Sequence, residues 1–213
     1  MTIALDHFFV ITRPGAPEAD SLVEMGMVEG TPNVHPGQGT ANRRFFFANA
    51  MLELIYIRDE QEAAAGAAGK LSMLERARSA DASPFGLVFR PTSSSTSPPF
   101  PGWRDFAEYL PDGSYFHIGE NSDCFEEPIC IVMPSNILAP TRQPAPGDPF
   151  TSVTSVRIGV PATSPSPVLA AVRGVGLLSI ALGQPHLMEL QFNDGAAGQE
   201  NDLRPELPLI IRW

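Results

Sequence analysis

Two polar side chains lie on otherwise apolar strands, and they are the residues best placed to do chemistry. His7 lies in ALDHFFVIT and Glu53 in AMLELIYI. Because side chains alternate between the two faces of a strand, His7 shares a face with Phe9, and Glu53 shares one with Ile55. Both strands are apolar on both sides, which indicates that both are covered on both sides. A carboxylate in such surroundings needs a partner or a metal ion.

Several groups are candidate partners for the Glu53 carboxylate. Arg43 or Arg44 on the neighbouring strand can pair with it in a bidentate ion pair, and His7 can pair with it directly.

His35 begins the turn HPGQGT, whose backbone amides can face an anionic group of a substrate. An ordinary surface loop is the alternative for this turn.

Composition and charge exclude several classes of partner. Acidic residues outnumber basic ones by 24 to 14, and the net charge is −10. Nucleic acids and anionic membrane surfaces attract clusters of Lys and Arg, so neither is expected as a partner. There is no nucleotide-binding fingerprint, P-loop or nucleophile elbow, so no nucleotide cofactor is expected.

Location is predicted from the absence of targeting patterns. No apolar run is long enough to span a bilayer, and the first residues lack the pattern of a signal peptide. Cys124 and Cys130 match neither a zinc motif nor a disulfide framework. We therefore expect a cytoplasmic protein with two free thiols.

Turn-rich segments divide the 213 residues into three blocks of strands and helices. The first, 1–83, is predicted as β-α-β-β-β followed by a connecting helix. The middle block, 84–138, is predicted as β-α-β-β, with its helix in GWRDFAEYLP (102–111). A Pro-rich linker, 139–149, precedes a last block, 150–213, again predicted as β-α-β-β-β.

The first and last blocks share a short sequence core. MLEL around Glu53 matches LMEL around Glu189, while Ser155 occupies the place of His7. The segments LDHFFVIT, HPGQGTANRRFFF and MLELIYI resemble the vicinal oxygen chelate superfamily, and within it the glyoxalase-like branch of the glyoxalase, bleomycin resistance and extradiol dioxygenase proteins. This resemblance implies an α+β fold of repeated βαβββ modules, with curved mixed sheets that enclose a cavity.

The resemblance also implies a metal site. Its ligands would be His7 and Glu53 of the first block and Glu189 of the last, holding Fe, Mn, Ni or Zn. The expected second histidine is missing because Ser155 replaces it, so one imidazole and two carboxylates would remain. The alternative for Glu189 is a structural ion pair with Arg157. The residues expected to contact a substrate are His35, Asn42, Arg44 and His117.

Three functions remain open at this point. The resemblance implies a metal-dependent lyase, isomerase or dioxygenase that acts on a small molecule with adjacent oxygens. Glu53 and Glu189 would be its catalytic carboxylates, with Glu189 moving a proton. The alternative is a non-catalytic protein that sequesters a small molecule, in which His7 and Glu53 form a structural pair. A scaffold that self-associates is a third option, and a homodimer is expected from the resemblance alone.

Overall fold

A computed structural model describes most of the chain. The residues described are 2–93, 97–137, 142–145 and 147–213, with the backbone alone for Ala67. Part of the predicted linker, at 138–141 and 146, lies outside the described residues.

Within the described part, the chain forms thirteen strands and five short α-helices. The strands are β1 (Ile3–Ile11), β2 (Asn33–His35), β3 (Thr40–Phe46), β4 (Met51–Ile57), β5 (Phe85–Pro91), β6 (Gly102–Asp105), β7 (Phe116–Gly119), β8 (Ile129–Val132), β9 (Val153–Val160), β10 (Leu178–Leu182), β11 (Leu187–Phe192), β12 (Glu200–Asp202) and β13 (Leu209–Arg212). The helices are α1 (Ala19–Glu24), α2 (Glu60–Ala63), α3 (Gly66–Gly69), α4 (Met73–Arg78) and α5 (Pro167–Val172). None of these helices is long and apolar enough to cross a membrane.

An eight-stranded, strongly curled sheet is built from two similar halves. Its strand order is β2-β3-β4-β1-β5-β8-β7-β6. Strand β1 is parallel to β4 in the first half, and β5 is parallel to β8 in the second. The halves meet where β1 and β5 pair in antiparallel fashion. The mixed α+β fold with curved sheets is thus as expected, and the first block joins side by side with the middle block.

The helix predicted at 102–111 is wrong. The chain there forms β6, which pairs antiparallel with β7 and places Trp103 opposite Ile118. Gly102 permits this pairing, because a β-carbon there would lie 1.9 Å from the carbonyl oxygen of Ile118. Local sequence periodicity favoured a helix, and the long-range pairing with β7 overrides it.

The last block forms its own sheet, in the order β10-β9-β11-β13-β12. Strand β9 is parallel to β10 and antiparallel to β11. Strand β11, which carries Glu189, is thus antiparallel to the first strand of its block. Strand β4, which carries Glu53, is instead parallel to the first strand of its block, β1. Strand β12 (Glu200–Asp202) is one strand more than the last block was predicted to contain. The shared MLEL and LMEL motifs therefore do not occupy equivalent places. The domain boundaries at 84, 139 and 150 stay a prediction.

The two sheets pack together through one hydrophobic core. Phe8, Leu52 and Phe89 point into it from the large sheet, and the ring of Phe47 meets that of Phe192 edge-on at 4.7 Å. Each such aromatic ring contributes about 2–3 kcal/mol by its burial. The opposite face of the large sheet carries a second cluster of buried apolar side chains. That cluster includes Phe9, Ile55, Val88, Ile118 and Ile129.

A buried carboxylate also links the two sheets. Glu127, which is 1% exposed, accepts hydrogen bonds from the backbone amide and hydroxyl of Ser166. The Ser166 hydroxyl in turn accepts from the amide of Leu169, so it caps α5.

Candidate functional site

A cavity of about 280 Å³ lies on the face of the large sheet that points away from the small one. The strands and turn of the first half supply mostly polar side chains to it: Asp6, His7, His35, Gln38, Arg44 and Glu53. The second half supplies mostly apolar ones: Val88, Phe116, Ile118, Ile131 and Met133, with Asp105 and Tyr109 as its polar members.

The structure brings His7 and Glu53 to this same cavity. Phe9 and Ile55 line it beside them, as strand alternation predicted. No hydrogen bond joins His7 to Glu53 among the described residues, so the two are not a structural pair there.

An irregularity in β1 gives His7 a carboxylate partner. Leu5 pairs with Phe89 and His7 with Val88, so Asp6 is an extra residue that forms a β-bulge. The bulge breaks the alternation of faces, and Asp6 lines the cavity next to His7. The Nδ1 atom of His7 lies 2.7 Å from Oδ1 of Asp6. Alternation alone placed Asp6 on the opposite face, so the sequence analysis missed it.

Two hydrogen bonds stabilise the negative charge of the Asp6 carboxylate. This carboxylate is 3% exposed and also accepts a hydrogen bond from Nη1 of Arg90 at 3.2 Å. Burial alone would raise the pKa of Asp6, but the hydrogen bonds from His7 and Arg90 hold that pKa below its usual value. An ionised Asp6 orients the His7 ring, because the Nδ1–H then donates to the carboxylate and leaves Nε2 free to face the cavity.

Glu53 is held by an amide. Asn42 Nδ2 donates to Glu53 Oε1 at 3.0 Å, from the diagonal position on the adjacent strand. Arg43, one predicted partner, instead donates to Glu29 and Asp20. Asn42 lies behind Glu53, 1% exposed, and does not line the cavity. Its expected contact with substrate is therefore corrected to a contact with Glu53.

Arg44, the other predicted partner, lies directly opposite Glu53 in the strand register and lines the cavity. It forms no ion pair with Glu53 among the described residues. Its Nε donates to the carbonyl of Thr31, and its guanidinium lies 5.1 Å from the Phe46 ring centre. The positive charge of Arg44 is therefore available to a ligand.

His35 lines the cavity as a neutral imidazole. Its Nδ1 lies 2.8 Å from the hydroxyl of Thr40, and its ring lies 5.2 Å from that of Tyr109. Burial lowers the pKa of His35, although the charge of Glu53 opposes this effect. The turn after His35 offers a ligand less than expected, because the Gly37 amide already donates to Glu62.

Two expected site residues lie elsewhere, which corrects their assignments. His117 Nε2 lies 2.9 Å from the carbonyl of Phe100, and its side chain lines a separate cavity of about 330 Å³. Glu189 lies in the small sheet, where Arg157 and Arg212 donate to its two oxygens. It is thus a structural carboxylate, as its alternative assignment proposed.

The donor set does not fit the expected metal ion. Among the described residues, no three His, Cys, Asp or Glu side chains are placed to hold a metal together. On the two central strands of the second half, β5 and β8, the described positions whose side chains alternate toward the cavity hold no such residue. On β5 they are Gly86, Val88 and Arg90, and beside them on β8 and just after it are Ile129, Ile131 and Met133. These two strands therefore supply no third ligand to His7 and Glu53, and Asp105 is not grouped with them as a metal ligand among the described residues.

Asp105 and Tyr109 are site residues that the sequence analysis missed. Asp105 ends β6 and is 7% exposed, and it has no hydrogen-bond partner among the described residues. Burial raises the pKa of Asp105. The Tyr109 hydroxyl donates to Gln38 Oε1 at 2.6 Å, and burial raises its pKa. Both lie in the segment predicted as a helix, so no strand pattern pointed to their faces.

Comparisons with known proteins support the fold. No family model matches the sequence, and no curated protein matches it. A hypothetical protein from Staphylococcus aureus is similar in structure, with a TM-score of 0.61 and 11% identity over 99% of this chain and 98% of that chain. At such identity the similarity shows the fold alone.

Methylmalonyl-CoA epimerases are more distant structural neighbours. A variant from Streptomyces coelicolor, in complex with 2-nitronate-propionyl-CoA, has a TM-score of 0.42 and 12% identity over 64% of this chain and 100% of that one. The enzyme from Mycobacterium tuberculosis has a TM-score of 0.38 and 14% identity over 61% and 86%. The fold itself, with its paired half-sheets and curled surface, is of the glyoxalase type.

Proposed function

We propose that this protein is a small-molecule enzyme of the glyoxalase fold that moves a proton with its own side chains. The supporting observation is the Asp6–His7 pair, 2.7 Å apart, in a cavity that Glu53 also lines. A histidine held in one tautomer by a carboxylate is an effective general base, and such catalysis typically contributes about 10²–10⁴-fold to a rate. The proposed function does not include the metal-assisted activity that the resemblance implies, because the described residues do not form the expected set of metal ligands.

The reaction that fits is proton transfer at a carbon next to a carbonyl. His7 Nε2 takes the proton, the electrons of the broken C–H bond move onto the carbonyl oxygen, and the protonated His7 returns a proton to the resulting enolate. Arg44 supplies the positive charge that offsets the enolate. The apolar second half of the wall excludes water and contacts the body of the substrate.

Hydrogen exchange tests this function directly. The protein is incubated in D₂O with a panel of ketones, aldehydes and thioesters that carry apolar groups, and loss of the α-proton signal is followed by NMR. We expect catalysed exchange with at least one of them, reduced about 100-fold in His7→Gln and by a smaller factor in Asp6→Asn. Glu75→Gln, on the exposed side of α4, is the matched control and should exchange normally. No exchange above the buffer rate, or full exchange in His7→Gln, would refute the proposal.

Sequestration of a small molecule is the second candidate. The apolar second half of the cavity favours it, since that wall contributes shape and no reactive group apart from Asp105 and Tyr109. Tight binding of an apolar compound without any exchange would support this function over the enzymatic one.

Divalent ions provide a separate test of the ligand set. Because a ligand of the native state raises the melting temperature, Mn²⁺, Fe²⁺, Ni²⁺ and Zn²⁺ should each leave it unchanged. A rise that disappears in both His7→Ala and Glu53→Gln would show that a metal binds after all.

A further inference from the structure

We propose that the ligand of this cavity is an organic cation, with an ammonium group held by Glu53 and Asp105 and an apolar body on the second half of the wall. This inference deepens the proposed function by naming the substrate class, and it relies on the same cavity. Two carboxylates that line this cavity have no positively charged hydrogen-bond partner among the described residues.

Asp105 is the first of these charges. It is 7% exposed, yet neither carboxylate oxygen has a hydrogen-bond or ion-pair partner among the described residues. It is not enclosed by protein either, because its side chain lines both the main cavity and a neighbouring one. Burying a carboxylate without a partner is costly, so a ligand that donates to Asp105 or carries a positive charge gains that energy on binding.

Glu53 is the second unbalanced charge. It is 7% exposed, and its hydrogen-bond donor in the described part of the chain is the neutral amide of Asn42. Asp6 differs, since Arg90 offsets its charge and His7 also hydrogen-bonds to it. Arg44 is the one Lys or Arg among the described residues that line the cavity, and its Nε already donates to a backbone carbonyl. The balance of charge inside the cavity is therefore negative.

The neighbouring cavity makes the approach acidic as well. It has a volume of about 370 Å³ and shares Gln38 and Asp105 with the main cavity. Glu62 and Glu108 line it, and no Lys or Arg does among the described residues. Carboxylates arranged in this way along a concave path raise the local concentration of cations and repel anions.

Aromatic rings complete the surroundings that an ammonium group prefers. The ring of Tyr109 lies 5.2 Å from that of His35 and 6.0 Å from that of Phe116, and all three line the main cavity. Because the Tyr109 hydroxyl is engaged with Gln38, this residue presents its ring to the ligand. Aromatic faces near carboxylates bind alkylammonium groups through cation–π attraction.

Three probes of similar shape and different charge test the inference. These are 2-phenylethylamine, 2-phenylethanol and 3-phenylpropanoate, titrated into the full chain at pH 7.5 and followed by NMR. We expect the ammonium to bind about tenfold more tightly than the alcohol, and the carboxylate to bind most weakly. Equal affinities for the three probes, or tightest binding of the carboxylate, would overturn the inference.

Variants assign the binding to the proposed residues. Asp105→Asn and Glu53→Gln should each weaken the ammonium about tenfold and leave the alcohol unchanged, whereas Glu75→Gln removes a charge outside the cavity and should change neither. Ammonium affinity unchanged in Asp105→Asn would also overturn the inference. Ammonium binding without hydrogen exchange would refute only the proposed enzyme, and exchange without ammonium preference would refute only this inference.

Discussion

The two halves of the large sheet share a strand order but differ in chemistry. In the first half, the cavity face carries an imidazole with its carboxylate, a glutamate and a guanidinium. In the second half it carries valine, isoleucine, methionine and phenylalanine, with Asp105 and Tyr109 as its polar members. Strand pairing is a matter of backbone hydrogen bonds, which tolerate most side chains on a cavity face. One half can therefore carry most of the reactive groups, while the apolar side chains of the other half contact the ligand and exclude water from the cavity.

Glu53 and Glu189 show a similar difference between two short motifs of nearly the same sequence, MLEL and LMEL. Both lie in nearly identical strand sequences, yet Glu53 faces the cavity beside a neutral amide, and Glu189 faces Arg157 and Arg212 in the small sheet. The pairing of the strand decides the role of the glutamate, and the local motif does not.

The largest expected effect comes from making the apolar half resemble the polar one. Val88 is 3% exposed, so Val88→Asp places a carboxylate there without a matched donor. We expect a loss of about 4 kcal/mol in the free energy of unfolding, measured with urea. Val34→Asp, at a valine that is 44% exposed, is the control and should change stability by less than about 0.5 kcal/mol. Equal losses in the two variants would mean that the second half tolerates charge.

A smaller loss is expected when the polar half loses its internal support. Asn42→Ala removes the donor to Glu53 and the acceptor for the backbone amide of Asn33, and should cost about 2 kcal/mol. Adding Glu53→Gln in the same chain should recover part of this, because the orphaned charge is then gone. A double-mutant cycle from urea unfolding measures the coupling, and strictly additive losses would contradict it.

The small sheet should respond less, because its ion pairs are partly exposed. Glu189→Gln should cost about 1 kcal/mol at neutral pH. Partial burial would raise the pKa of Glu189, but Arg212 and Arg157 hold it below its usual 4.5. The unfolded state then binds the proton more readily, so the contribution is present above pH 4.5 and is lost as the pH falls below it. A difference from wild type that does not shrink as the pH falls below 4.5 would contradict this origin.

The smallest effect is expected from the neutral ring of His35. Since burial lowers its pKa below the usual 6.5, the unfolded chain takes up the proton first as the pH falls. Stability should therefore decline below pH 6.5, and less steeply in His35→Gln than in the wild type. Urea unfolding across pH 5 to 8 measures the two slopes, and identical slopes would show that His35 is not buried as a neutral ring.

Much of the fold was predictable from the sequence, because alternation along β1 and β4 is strong. It correctly placed His7 with Phe9 on one face of β1, and Glu53 with Ile55 on one face of β4. The site was predictable only in part. The bulge at Asp6 depends on pairing with β5, a contact more than eighty residues away that no local pattern reveals.

The same limit explains the other errors. Strand β6 was predicted as a helix because its pairing with β7 is not visible in the sequence, so Asp105 was missed. Glu189 was placed with Glu53 because similar motifs suggested equivalent strands, whereas the structure pairs the first block with the middle one.

The bulge has a consequence for how such a site can arise or vanish. Asp6 is surplus to the pairing of β1 with β5, so deleting this one codon would leave His7 opposite Val88 and the downstream strand in register. The imidazole of His7 would remain, but the Asp6 carboxylate that hydrogen-bonds to it would be gone. An insertion or deletion of a single residue, with no substitution anywhere else, can thus convert an inert pocket into a basic one and back again.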